Sequence, residues 1–192
     1  MINKLSVLLL VIMIISCDDI EKPINPEAST NISKNDVLAQ IELFSDSLIS
    51  MNQFLYAEKD KLENNERIAL KSKIAVLRQQ LINKNLNYVN KFPNDTMSPY
   101  CLKNVKGIYD QIQAYEKSVS FMDSILINYP DFIFYSEVLE EKAGTLDYFI
   151  SPRDTAIIRD AYEKVLAYPK LSKSKIKIYN ERLSNLDKVF IN

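Results

Sequence analysis

Apolar residues in this chain recur at steps of three and four over most of its length, the spacing of one buried face on an α-helix. Val37, Ile41, Phe44, Leu48, Met51 and Leu55 form such a stripe, which predicts a helix from about Asn35 to Glu58. Ser33 with Asp36 three residues on supplies its N-terminal cap. A second helix is predicted to begin at Asn64-Asn65-Glu66 and stop before Pro93, with Ile68, Ile74, Leu77, Leu81 and Val89 on its apolar face. A last amphipathic helix, Ile176 to Phe190, is predicted to cover the far end. Strand-type alternation and hairpin turn chemistry are missing, and the fold class is read as all-α.

Between these ends the pattern is punctuated. Phe92-Pro93-Asn94, Tyr129-Pro130-Asp131 and Tyr168-Pro169-Lys170 each place an aromatic, a proline and a polar residue at the end of a helical stretch, with prolines 37 and 39 residues apart. Proline lacks an amide donor and disfavours helix at the residue before it, so each triplet stops a helix. Two helices per period of roughly 34 to 40 residues is the mark of a helical solenoid. In the middle unit, Leu102, Val105, Tyr109, Tyr115, Ser118, Met122 and Ile125 resemble, without a gap, the pattern of the tetratricopeptide repeat family. Asp160-Ala161-Tyr162-Glu163-Lys164-Val165-Leu166 resembles that family's second helix. Lys106 departs from the pattern, where the family has a small residue that lets paired helices approach; neighbouring Gly107 is expected to compensate, and Gly144 fills the same place one unit later. The resemblance covers roughly residues 65 to 170. It implies a short α/α superhelix of antiparallel helix pairs, with units at about 65–97, 98–131 and 132–170 and a capping helix at 171–191.

The first residues read as an address. Lys4 precedes an apolar run from Leu5 to Ile15, broken only by Ser6. Eleven helical residues rise roughly 16 Å against a membrane core of about 30 Å, so the run is too short to span and fits a secretory signal. Ile14-Ile15-Ser16-Cys17 then resembles the lipobox of bacterial lipoproteins. That resemblance implies a signal peptide over 1–16, cleavage before Cys17, and a diacylglycerol on the Cys17 thiol with further N-acylation, a stable membrane anchor. A plain cleaved signal and a short membrane helix are the alternatives. Asp18, Asp19 and Glu21 follow directly; the cluster resembles a surface-export signal in one group of bacteria and a retention signal in another. The outer membrane is the favoured address, with its face left open. Residues 17–33, with Pro23 and Pro26, read as a lipid-anchored flexible tether to the helical domain of 34–192.

Composition narrows the function. Lysine plus arginine (24) nearly balances aspartate plus glutamate (25), and the formal charge of −1 argues against a nucleic-acid partner. With no histidine, the commonest general base and metal ligand are missing; with only two glycines, no phosphate-cradling loop can form. No cofactor and no metal site are expected, and the chain is read as non-catalytic. Cys101, early in the helix that Ser98 would cap and Pro99 would open, is read as a small buried apolar residue rather than an activated thiol. Glu137, Glu140 and Glu141 are read as a solvated helix face, and so are Lys170, Lys173, Lys175 and Lys177.

Tyrosines (11) and phenylalanines (8) crowd the repeats. Most are expected in the core. In the tetratricopeptide family the first helix of each pair lines a concave surface, and by position the resemblance points to Tyr100, Lys103, Asp110 and Gln111 in one unit and Glu141, Thr145, Tyr148 and Phe149 in the next. The expected function is a tethered scaffold that holds cell-envelope proteins; the alternative is a surface lipoprotein that binds glycans or nutrients.

Overall fold

In a computed structural model of the chain, residues 33–188 are described. The signal segment, Cys17, the tether up to residue 32 and the far end of the predicted last helix lie outside the described residues. Among those described, the protein is all-helical, with seven helices and no strand: α1 (Lys34–Glu58), α2 (Asn64–Lys91), α3 (Ser98–Gln111), α4 (Tyr115–Asn128), α5 (Tyr135–Tyr148), α6 (Thr155–Leu166) and α7 (Lys173–Ser184). Each helix packs against the one before and the one after it, and no other pair of described helices packs backbone to backbone. Short connections make neighbours in sequence neighbours in space.

α1 starts where its cap is predicted. The Ser33 hydroxyl accepts from the Asp36 amide at 3.2 Å and the Asp36 carboxylate accepts from the Ser33 amide at 3.2 Å, a reciprocal capping box. Glu66 returns to the Glu63 amide at 2.9 Å and does the same service for α2. Val37, Ile41 and Leu48 of α1 bury against Ile74, Leu81, Ile82 and Tyr88 of α2 and against Cys101, Val105 and Ile108 of α3, with Phe44, Met51 and Leu55 partly buried at the margin. Each fully buried aliphatic here contributes about 2 kcal/mol over exposure. The predicted α2 face needs one correction. Ile68 is 58% exposed, and Ile82, Asn85 and Tyr88 take the buried positions instead. Ile68 lies near the start of a helix twice the length of α3, and the core it was assigned to begins further along, with Leu70 at its margin and Ile74 the first residue buried.

The three proline marks are one turn used three times. The amide of Asp95 donates to the Phe92 carbonyl at 3.0 Å, that of Phe132 to Tyr129 at 3.1 Å and that of Leu171 to Tyr168 at 3.3 Å. Each aromatic is therefore the first residue of a β-turn and each proline the second, the place its fixed φ suits. Phe92 and Tyr129 end their helices with nearly the same backbone angles, φ −131°, ψ 55° and φ −133°, ψ 63°. Ser98 does not cap α3 as predicted: it is buried, its hydroxyl donates to the Phe92 carbonyl at 2.6 Å, and Met97 stands in the cap position. That carbonyl also accepts the Asp95 amide, so the hydroxyl adds a second bond to the proline turn in place of a cap on α3. The α3–α4 loop closes with Gln113 at φ 58° and the Ala114 amide returning to the Tyr109 carbonyl at 2.9 Å. That is a Schellman ending with glutamine where glycine is cheapest.

The expectation for the two glycines is not met. A β-carbon on Gly107 or on Gly144 would meet no atom within 4 Å, so neither serves a close helix approach. α7 also departs from its prediction: it begins at Lys173, where Ser172 caps it, and ends at Ser184. None of its residues is fully buried; Leu186, just past its end, is.

Candidate functional site

α3, α5 and α7 alternate with α4 and α6 along the chain, and their side chains reach one another even though their backbones do not pack. Lys103 of α3 binds Glu137 of α5, and Lys106 binds Glu141 at 2.6 Å while also meeting Asp110 at 3.0 Å. One unit on, Lys175 and Tyr179 of α7 bind Glu140 of α5 at 2.7 and 2.5 Å. Arg182 of α7 meets Asp147 of α5 through two hydrogen bonds of 2.5 and 2.6 Å. Across α3, α5 and α7 the lysine and arginine partners lie 34 or 35 residues from their carboxylates.

The charges are tuned by this ladder. Burial works against the ammonium of Lys106, but the hydrogen bonds it donates to Glu141 and Asp110 outweigh that and hold its pKa above the ordinary range. Lys103 holds the carboxyl of Glu137 below the ordinary range. Glu137 keeps the exposure expected of a solvated face, but Glu140 and Glu141 are half-buried, and the three glutamates tie α5 to α3 or α7. The four lysines are exposed, as expected of a solvated face, with Lys175 paired to Glu140 and Lys177 to Glu181.

Asp147 is the most heavily engaged group. Its side chain is fully buried, and it accepts from Arg182, from Arg153 at 2.9 and 3.2 Å, and from the Tyr162 hydroxyl at 3.1 Å. Arg153 also donates to the Leu186 carbonyl at 3.1 Å, so one carboxylate gathers the α5–α6 loop, α6, α7 and the segment after it. Burial alone would raise the pKa of Asp147, but the hydrogen bonds from Arg182 and Arg153 outweigh it and leave the carboxyl below the usual range. Burial and the same carboxylate push the Tyr162 phenol well above its ordinary value. A bidentate guanidinium pair with a second arginine behind it is a structural clasp with no substrate-facing oxygen.

The eight residues singled out from the sequence divide in two. Lys103, Asp110 and Glu141 are occupied within the ladder, and Tyr100 stands edge-on to Phe132 and Phe134 with ring centroids 5.0 and 6.0 Å away. Thr145 is half-buried and Gln111 is exposed at the end of α3. Tyr148 and Phe149 are 66% and 56% exposed, and Phe149 stacks on Tyr115 at 4.5 Å. Sequence reasoning missed Lys106, Asp147, Arg153, Tyr162, Tyr179 and Arg182 as members of this face. Opposite charges 34 or 35 residues apart on α3, α5 and α7 were the signal that would have found the ladder.

A cleft of about 410 Å³ opens between α5, α6 and α7, lined by Glu140, Gly144, Tyr148, Tyr162, Tyr179 and Arg182 among others. Cys101 is elsewhere, 2% exposed in the first core, where burial and then Asp95 push its thiol up to about 11. It is not an activated nucleophile. Among the described residues no group of three or more cysteine, aspartate or glutamate side chains is placed to hold a metal ion, and no helix is long and apolar enough to cross a membrane. No family model, no curated protein and no solved structure matches the chain.

Proposed function

We propose that this protein is a lipid-anchored scaffold of the cell envelope, built on tetratricopeptide-like helix pairs, that holds other envelope proteins and performs no chemistry of its own. The observation that carries the reading is the recurrence of one aromatic–proline turn together with the 34- or 35-residue offset between partners on α3, α5 and α7. A constant offset means that successive first helices are presented side by side, which is how a solenoid builds a continuous binding face. On that face Tyr148 and Phe149 keep more than half of their surface exposed, and exposed aromatics are the side chains that anchor partners most often. The lipobox resemblance at Cys17 supplies the tether and favours the outer membrane.

Two measurements test the halves separately. A photo-crosslinking residue at Tyr148, Phe149 or Gln111 in living cells is expected to capture one or a few envelope proteins, while the same residue at Ile127, on α4, captures none. Equal background at all four positions would remove the scaffold reading. Growth with an alkyne-bearing fatty acid is expected to label the wild-type chain and not Cys17→Ala, which then leaves the membrane fraction; an unlabelled wild type would remove the anchor.

A further inference from the structure

We propose that the edge of the domain formed by the three proline turns docks on an anionic lipid surface. The inference rests on the lipid-anchored reading above, since the anchor is what brings a bilayer within reach.

The turns are joined side by side. Lys34, where α1 begins, pairs with Asp95 of the first turn at 2.5 Å. The Tyr129 hydroxyl of the second turn donates to the Pro93 carbonyl of the first at 2.9 Å. Tyr168 of the third stacks on Tyr135, which follows directly on the second, with ring centroids 6.1 Å apart. The three turns and the start of α1 therefore form one edge, and the chain that leads back to Cys17 leaves from it. Sixteen residue steps separate Ser33 from Cys17, a reach of at most about 55 Å. An attachment that short makes docking an intramolecular event, in which contacts too weak to hold a free protein suffice.

The edge presents what such a surface takes. Ile133 is 76% exposed. Its neighbours Phe132 and Phe134 both pack edge-on against the Tyr100 ring, so two internal contacts hold the isoleucine outward. Met97, just after the first turn, is exposed as well. Around them Lys91, Lys170 and Lys173 are exposed and have no ion-pair partner among the described residues. Of the carboxylates at this edge, Asp95 is tied to Lys34 and Asp36 to the cap of α1, which leaves Asp131 against three lysines. Apolar points set among surplus lysines match the acyl boundary and the anionic headgroups above it. The far end of α3 provides the contrast: Ile112, also exposed, lies about 22 Å along the helix from Met97.

The chain has no tryptophan, so a single one introduced reports its own position. The full chain carrying Ile133→Trp or Ile112→Trp is coupled through Cys17 to a maleimide lipid, in phosphatidylcholine vesicles with brominated acyl chains and about 30% phosphatidylglycerol. Cys101 is 2% exposed and escapes the reagent. Ile133→Trp is expected to lose at least half of its emission relative to unbrominated vesicles, and Ile112→Trp almost none. Raised salt should weaken the quenching of Ile133→Trp. Adding Lys91→Glu, Lys170→Glu and Lys173→Glu together should abolish it and leave thermal unfolding unchanged, because none of the three is committed to an ion pair. Equal quenching at both positions, none for Ile133→Trp, or quenching that survives both salt and the triple substitution would overturn the proposal. So would a photo-crosslinking residue at Ile133 that captures a protein in cells. Chemical coupling makes the result independent of acylation in the cell, which the alkyne-bearing fatty acid reads separately. An unlabelled wild type with strong quenching of Ile133→Trp would remove the anchor and leave the affinity of this edge for lipid standing.

Discussion

The two ends of the described domain are held by different physics. At the front, α1 and α2 meet along a stripe of aliphatic side chains that continues into α3, and polar groups serve mainly at the caps. At the rear, α7 buries none of its own residues fully; Leu186 after it, the partly buried Tyr179 and Leu183, and above all the clasp of Arg182 on Asp147 hold it in place. Apolar burial acts evenly over a long surface, whereas a buried ion pair acts at one point and fails at once if either partner is lost. The front is therefore expected to unfold only with the whole domain. The rear is expected to open by itself.

Breaking the front should cost most. Leu81 is buried at the centre of the first cluster, and Leu81→Ala is expected to destabilise the domain by about 3.5 kcal/mol through lost burial and the cavity left behind. Denaturant unfolding should remain a single transition, and amide exchange should accelerate in the helices that open only with the whole domain, α1 and α2 together with those packed behind them, while α7, which opens by itself, keeps its rate. Acceleration confined to α1 and α2 would show that the front is a separate cooperative unit.

Breaking the clasp comes next. Asp147→Ala leaves Arg182 and Arg153 without their carboxylate, and about 3 kcal/mol is expected at the rear, at the low end for a buried pair because both arginines keep some solvent. The readout is hydrogen exchange: amides of α7 should lose protection while those of α1 and α2 keep it. Asp147→Leu with Arg182→Met, which removes the bidentate pair and leaves only the more exposed Arg153, should recover at least half of the loss. If the double variant is as loose as the single one, the clasp is not what holds α7.

These two ends were not equally legible in the sequence. The front was readable because its information is local: Val37 to Leu55 repeat at helical steps, and Ser33 and Asp36 sit in capping register. The proline breaks were readable for the same reason, since proline acts on its immediate neighbours. Asp147, Arg153 and Arg182 form their site across gaps of 6 and 35 residues, and periodicity within one helix carries no trace of that. Glu140 and Glu141 were misjudged because exposure was inferred from charge and helical spacing, although Glu140 has two partners on α7 and Glu141 one on α3. Ile68 failed in the opposite direction, an apolar residue on the correct stripe beyond the reach of the core.

Acid sharpens the contrast between the ends. The carboxyl of Asp147 lies below its ordinary 3.8, and Lys34, then the Met97 amide and Tyr88, bring that of Asp95 down to about 2. A carboxylate whose folded pKa is depressed adds stability that is complete above the unfolded value and disappears as pH falls through the folded one. With no histidine to titrate, thermal stability should stay flat between about pH 8 and pH 5 and then fall below about pH 4. α7 should lose protection before α1 does, because the rear has less apolar burial to fall back on. In Asp147→Leu with Arg182→Met the acid loss at α7 should largely vanish; an unchanged profile would assign it to other groups.

The smallest effect should come from the middle of the ladder. Lys103 pairs with Glu137, but both side chains keep a good part of their solvent exposure, and water screens them. Lys103→Ala is expected to cost about 0.5 kcal/mol, and the cost should shrink further in high salt. Lys106→Met should cost more and respond less to salt, because Lys106 is mostly buried and answers two carboxylates, Glu141 and Asp110. The rungs would then grade from screened at Lys103 to desolvated at Asp147. If Lys103→Ala loosened the domain as much as Asp147→Ala does, distance from water would not be what grades them, and the contrast between an evenly packed front and a point-clasped rear would lose its basis.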